Sequence, residues 1–140
     1  RGHVNEYGPA KLPYHTIIPG LLVKRDAATR AAEAHVAFGC MGGYMQPQGQ
    51  LQIASRLEDH RANPQAALDA PRWQVSEGLR LDVEPGFAAE TLAELARRGH
   101  EVKVAAEKSI AFGRAQCIQR VEHGYIAASD CRGDAQAAVG

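Results

Sequence analysis

Hydrophobic residues along this chain recur with two periods, one near two residues and one near three to four, which predict strands interleaved with helices. The apolar run from Thr16 to Lys24 is interrupted by Pro19-Gly20. Because proline cannot donate to a sheet ladder, this run predicts an edge strand or a bulge. A polar turn at 26–32 and a second apolar segment at 34–41 complete a predicted hairpin, which ends at Gly42-Gly43.

Three segments have the spacing and the end signals of helices. Residues 46–60 carry apolar side chains at helical spacing. Asn63-Pro64 predicts a helix start, since asparagine caps free N–H groups and proline at the first helical position has no N–H to leave unpaired. Pro71 ends that helix within about two turns. A third helix is predicted over 88–98, with Leu92 and Leu95 facing inward and Gly99 as its stop.

The remaining apolar residues alternate with polar ones. Residues 79–83 and 102–104 predict two half-buried strands. Residues 116–121 and 125–128 predict a final hairpin across the turn 122–124. Strands interleaved with helices favour a mixed α/β or α+β arrangement.

Composition narrows the class of protein without identifying it. With 140 residues, the chain has the size of one ordinary domain. Its 16 basic and 16 acidic residues cancel, so no global charge favours nucleic acid or a membrane surface as a partner. The three cysteines and the scattered histidines lack the spacing of metal ligands, and the sequence predicts no metal site.

The run from Phe38 to Gly49 carries the candidate chemistry, because Gly42-Gly43 joins an apolar segment to a predicted helix. Paired glycines adopt backbone angles closed to other residues, and two free N–H groups in such a turn can face a developing oxyanion. The alternative is an ordinary turn. Cys40, next to this turn, is either a reactive thiol or a small apolar core residue.

Four blocks, in order and spacing, resemble the C-terminal part of the small subunit of the γ-glutamyltranspeptidase (γ-glutamyltransferase) family. The third is similar to the family's A-x-x-A-P-R helix end and the fourth to its S-D-P-R terminus, although Cys131 replaces the proline. The resemblance extends from about Pro13 to Gly140. The blocks are Pro13–Gly20, Phe38–Gly49, Asn63–Trp73 and Ala128–Arg132.

This resemblance implies an α+β chain that forms part of an αββα-sandwich N-terminal-nucleophile (Ntn) hydrolase and is incomplete without an upstream segment. It implies one C-terminal portion over residues 1–140. Within it, residues 1–13 are rich in Gly, Pro and polar types, which predicts a loop or a ragged end. In the family, self-cleavage frees a threonine that attacks a γ-glutamyl amide such as that of glutathione, and the acyl group passes to water or an amine. No cofactor is needed. Arg1 offers neither hydroxyl nor thiol, so we expect the chain to be inert alone.

The resemblance also assigns site residues. It implies that the N–H groups of Gly42 and Gly43 form the oxyanion hole. His15 and Thr16 stand where well-known members carry two serines that hold the substrate α-carboxylate; the alternative is that they end a strand without contacting substrate. Tyr44 either walls the pocket or packs against the following helix. Arg72 is expected to pair with a local carboxylate or carbonyl and to fix the Pro71 corner, and Asp130 and Arg132 to form an ion pair or a turn.

The expected partners are the upstream remainder of the same precursor and a small γ-glutamyl substrate. An unpaired sheet edge and an apolar face predict an adventitious oligomer of the isolated chain. Two other functions stay open. One is an amidase acting on glutaryl or cephalosporin-type substrates, and the other is a structural or binding module without chemistry.

Overall fold

The computed structural model describes residues 2–12 and 16–138, and helices and strands begin at Gly20. Within the described residues the chain forms two sheets flanked by three α-helices and one turn of 3-10 helix. The elements are β1 Gly20–Arg25, β2 Ala32–Met41, α1 Met45–Glu58, α2 Pro64–Asp69, β3 Trp73–Glu77, β4 Arg80–Val83, α3 Ala89–Arg97, β5 Glu101–Val104, the 3-10 turn Ile110–Phe112, β6 Arg114–Val121 and β7 Gly124–Ser129. The expected α+β fold class is confirmed.

The larger sheet has the order β1-β2-β6-β7, and all its neighbouring strands are antiparallel. Strand β1 lies at its edge and begins only after Pro19, as the missing proline N–H requires. Both predicted hairpins are present. The final one is tighter than expected, since Val121 pairs directly with Gly124.

Helices α1 and α2 cover one face of this sheet and form the hydrophobic core with it. The cap of α2 is the predicted one: the Asn63 side chain accepts the Ala66 N–H at 2.9 Å, and Pro64 occupies the first turn. The opposite face of the sheet is exposed; side chains paired across its strands there include Leu21, Ala37 and Ile118. The core residues are Val36, Phe38, Cys40, Ile53, Leu57, Ala67, Leu68, Ala115, Cys117 and Ala128.

The smaller sheet, β3-β4-β5, contains a strand that the sequence pattern did not predict. Strand β3 is short and carries polar residues, but helix α1 completes its backbone pairing. The Gln52 side-chain amide bonds the N–H and C=O of Trp73 at 3.0 and 2.9 Å, and the Gln48 amide does the same for Val75 at 2.7 and 3.2 Å. Two glutamines four residues apart on α1 therefore act as a neighbouring strand would.

Helix α3 packs less deeply than its pattern predicted. Leu92 and Leu95 were expected to face inward, yet both are only half-buried, and no residue of α3 is fully buried. The helix contacts mainly β5, at the margin of the smaller sheet. Its strong amphipathic pattern therefore corresponds to a shallow packing surface in this chain.

Four charged side chains are buried together where the two sheets meet the end of α2: Arg72, Glu84, Asp130 and Arg132. Arg72 Nη2 donates to Asp130 Oδ2 at 2.5 Å, and Arg132 Nη1 donates to Asp130 Oδ1 at 3.0 Å. Arg132 Nε donates to Glu84 Oε1 at 2.7 Å, while Glu84 Oε2 accepts the Arg72 backbone N–H at 2.8 Å. We call this set the buried charge cluster.

The cluster also satisfies backbone groups from several elements. Leu68 C=O, at the end of α2, accepts from Arg72 Nη2 at 3.2 Å and from Arg132 Nη1 at 2.8 Å. The Ala115 N–H of β6 donates to Asp130 at 2.8 Å. Burial raises the pKa of Asp130, but the N–H donors and the Arg72 charge outweigh it and hold that pKa below its usual value. The carboxylate form is thus the one the fold stabilises.

Replacing Asp130 by alanine should lower the free energy of unfolding by about 3–5 kcal/mol, because it leaves two buried guanidinium groups without their shared carboxylate. Urea denaturation of the protein measures this loss. Asp134→Ala is the matched control, since Asp134 is exposed and should change stability little. Equal stabilities of the two variants would contradict a cohesive role for the cluster.

The depressed pKa of Asp130 also predicts a pH dependence. A carboxyl whose folded pKa lies below its unfolded value stabilises the fold fully above the unfolded value, near pH 4, and loses that contribution as pH falls through the folded pKa. We therefore expect the difference in stability between wild type and Asp130→Asn to be constant above about pH 5 and to shrink below about pH 4. Denaturation curves from pH 2.5 to 7 test this, and a pH-independent difference would contradict it.

Candidate functional site

The Gly42-Gly43 turn joins β2 to α1 and has backbone angles that favour glycine, as the sequence predicted. The φ angles are +136° at Gly42 and +57° at Gly43, in the region that side-chain-bearing residues rarely adopt. The two carbonyls accept from Met45 and Gln46 in the first turn of α1. The two N–H groups donate to no other residue that the structure describes. The turn thus holds adjacent, unused donors on a rigid support.

Gly113 packs directly against this turn. A Cβ added to Gly42 would lie 3.2 Å from the Gly113 Cα and 3.1 Å from the Met45 Cβ. Arg72 of the buried charge cluster fixes the other side of Gly113 by donating to its carbonyl at 2.9 Å and to the carbonyl of Phe112 at 3.2 Å. The cluster therefore supports the turn through one intervening segment.

The two glycines lie at the edge of a groove of about 920 Å³. Its floor is the exposed face of the larger sheet, including Met41 and Ile118. Thr16 lies on its rim, where its C=O accepts from Gln46 Nε2 at 3.0 Å. The groove combines apolar side chains with a few polar groups, the usual composition of a small-molecule site.

The structure brings three of the five predicted site residues to this groove, namely Gly42, Gly43 and Thr16. His15 lies outside the described residues. Tyr44 is 96% exposed at the start of α1 and does not line the groove.

Arg114 lines the groove although sequence reasoning did not select it. It follows Gly113 and pairs across the sheet with Met41, one residue before the glycine turn. Only this strand register relates Arg114 to Gly42, which is 72 positions away in the sequence. A basic residue directly after a glycine is too common a pattern to have indicated the site.

Cys40 belongs to the core and not to the reactive side of the turn. It is 3% exposed, and burial raises the pKa of its thiol above the ordinary value. A raised pKa keeps the thiol protonated at neutral pH, where it is a poor nucleophile. Of the two interpretations of Cys40, the structure supports the small apolar core residue.

Residues 2–12 and 16–138, which the structure describes, hold neither a candidate metal centre nor a helix suited to cross a membrane. No group of three or more histidine, cysteine or acidic side chains is arranged to hold a metal ion there. Within the same residues, every helix is too short or too polar to cross a bilayer.

Alanine should be tolerated far better at Gly43 than at Gly42. At Gly43 the added Cβ meets open space, and the expected cost is only that of the positive φ, about 1–2 kcal/mol. At Gly42 the φ of +136° lies outside the left-handed region open to side chains, and the added Cβ makes close contacts with Gly113 and Met45, so Gly42→Ala should lower stability further. Thermal unfolding of both variants measures the difference. Equal losses of stability would show that the turn shifts to accommodate the added Cβ at Gly42.

Comparison with known proteins places this geometry in a family. The family model described as Gamma-glutamyltranspeptidase matches residues 1–140. The chain is 35% identical to the glutathione hydrolase-like YwrD proenzyme of Bacillus subtilis (strain 168) over 146 residues, covering 99% of this chain and 26% of that protein. It is 34% identical to the oxamate amidohydrolase proenzyme of Klebsiella pneumoniae, covering 97% of this chain and again 26% of the other.

A solved structure agrees with these relatives. The crystal structure of cephalosporin acylase from Bacillus halodurans superposes with a TM-score of 0.77 at 44% identity, covering 96% of this chain and 24% of that one. The chain thus spans about a quarter of the length of each of these proteins. The four sequence blocks, the α+β fold and the glycine turn agree with the family match: the chain belongs to the γ-glutamyltranspeptidase family.

Proposed function

We propose that this chain is the C-terminal portion of a γ-glutamyltransferase or hydrolase and supplies its oxyanion hole. The observation that carries the proposal is the pair of unused N–H groups at Gly42 and Gly43, held at the edge of a groove. Fixed donors aimed at a developing negative charge stabilise the transition state without reorganisation, and losing one donor typically costs about 10²–10³ in kcat.

The reaction proceeds by acyl transfer in two steps. A threonine hydroxyl supplied by the upstream part of the precursor attacks the γ-glutamyl carbonyl, and the oxyanion forms against the glycine N–H groups. The tetrahedral intermediate expels the amine, which takes up the proton, and leaves an acyl-enzyme. Water or a second amine then attacks that ester and restores the threonine. This chemistry uses side chains and backbone alone and needs no cofactor.

The fraction of the related proenzymes that this chain covers indicates which parts of the site lie in the rest of a precursor. The related proenzymes are about four times as long as the matched region, so the nucleophile and the other wall of the groove belong to the remainder of such a precursor. The exposed apolar face of the larger sheet, with Leu21, Met41 and Ile118 about half exposed, is the surface expected to meet that remainder. The isolated chain should therefore be inactive and prone to adventitious association.

A related amidase is the second candidate. The relatives include an oxamate amidohydrolase and a cephalosporin acylase, whose names describe amide substrates other than γ-glutamyl ones. In addition, His15-Thr16 replaces the serine pair of well-known transferases in the family. An acylase acting on glutaryl or cephalosporin-type amides would use the same oxyanion hole with a different acyl pocket.

Release of a chromogenic aniline tests the proposal. We expect the full-length, self-cleaved precursor to hydrolyse γ-glutamyl anilide and the 140-residue chain alone to release no product. Gly43→Pro in the precursor removes one N–H donor and cannot adopt the φ of +57°, so it should abolish turnover, while self-cleavage is followed separately by gel electrophoresis.

Each other result points to a different function. Activity with glutaryl anilide but not γ-glutamyl anilide would favour the amidase, because glutaryl lacks the α-amine. Failure of the precursor to cleave itself, with no activity on either donor, would favour a non-catalytic module. Near-normal turnover by Gly43→Pro would reject the oxyanion-hole assignment.

A further inference from the structure

Arg114 is a charged side chain in the groove with no ionic partner among the residues that the structure describes. It makes neither an ion pair nor a side-chain hydrogen bond with them, whereas the other half-buried or buried arginines mostly do. Asp134 also lines the groove, but the structure shows no ion pair between it and Arg114. A half-buried guanidinium with five donors and no acceptor is expected to bind an anion.

The side chain is held in place. A Cβ on Gly133 would collide with the Arg114 side chain, so its stem lies across that backbone. Its strand position, opposite Met41, puts it beside the Gly42-Gly43 turn and on the floor of the same groove. A carboxylate separated from the reacting carbonyl by a short chain would meet this guanidinium while the carbonyl oxygen meets the turn.

Resting on the proposed function, we propose that Arg114 is a specificity-determining residue that binds a carboxylate on the acyl portion of the substrate. The guanidinium offers two parallel donors to the two carboxylate oxygens, a geometry that lysine cannot reproduce. Thr16 on the rim contributes a neutral hydroxyl at most, so Arg114 supplies the positive charge among the described residues of the groove. Acyl donors with a neutral end would lose this contact.

The same strand provides a matched control. Arg120 lies six residues from Arg114 on β6 and therefore on the same face of the sheet. It is exposed, pairs with Glu33 at 3.1 Å and does not line this groove. Replacing Arg120 by glutamine removes an identical charge from the same strand without touching the groove.

The experiment uses the self-cleaved full-length precursor and two anilides that differ only at the far end of the acyl chain, glutaryl and its half-amide. For Arg114→Gln we expect kcat/KM for the glutaryl donor to fall about 10- to 100-fold, the loss of a charge-assisted hydrogen bond. We expect kcat/KM for the half-amide to stay within about twofold, Arg114→Lys to recover part of the loss, and Arg120→Gln to match wild type.

Binding of free glutarate, followed by calorimetry, tests the proposal even if neither anilide is turned over. Wild type and Arg120→Gln should bind it equally, and Arg114→Gln about 10-fold or more weakly. An equal loss on both anilides, or impaired self-cleavage, would show a structural role and overturn the proposal. Unchanged glutaryl kinetics, or no glutarate binding by wild type, would also overturn it. Inactivity on both anilides with normal glutarate discrimination would reject an acylase acting on glutaryl amides and leave the Arg114 site standing, whereas the γ-glutamyl reaction fails only if γ-glutamyl anilide is not turned over.

Discussion

The buried charge cluster is the constraint on which the arrangement of this chain depends. Arg72, Glu84 and the nearby pair Asp130 and Arg132 come from three separate points in the sequence, and each is almost inaccessible to solvent. Removing two positive and two negative groups from water is costly, and the cost is offset only when every group finds its partners. The cluster thereby links the end of α2, the end of β4, the start of β6 and the C-terminal turn to one another.

The buried charge cluster also supports the Gly42-Gly43 turn. Arg72 holds the carbonyls of Phe112 and Gly113, and Gly113 in turn packs against Gly42. The glycine turn therefore rests on a rigid backbone segment that is anchored by a buried guanidinium. An oxyanion hole needs such support, because donors that reorient during the reaction lose most of their advantage over water. In this way the contacts of Arg72, which stabilise the fold, also position the two glycine N–H groups proposed to act in catalysis.

The two faces of the larger sheet divide the remaining roles. One face carries the core with α1 and α2, while the other stays open and forms the floor of the groove. This chain spans about a quarter of the length of its relatives. Its open apolar face is therefore consistent with a surface that the rest of a longer protein covers. Three separate segments of the sequence line the groove on this face: the rim at Thr16, the glycine turn and the start of β6.

Local signals in the sequence determined much of the structure. Hydrophobic periodicity, proline positions and the Asn63-Pro64 cap predicted six of the seven strands and all three α-helices, because these features depend on neighbouring residues. The order of four sequence blocks predicted the family. Strand β3, the depth of α3, the Arg72–Asp130 pair and Arg114 were decided only by tertiary structure. Each depends on a partner distant in sequence: the glutamines of α1 for β3, a residue 58 positions away for Arg72, and the register of β2 with β6 for Arg114. Periodicity reports which face of an element is apolar, but not which element will meet it.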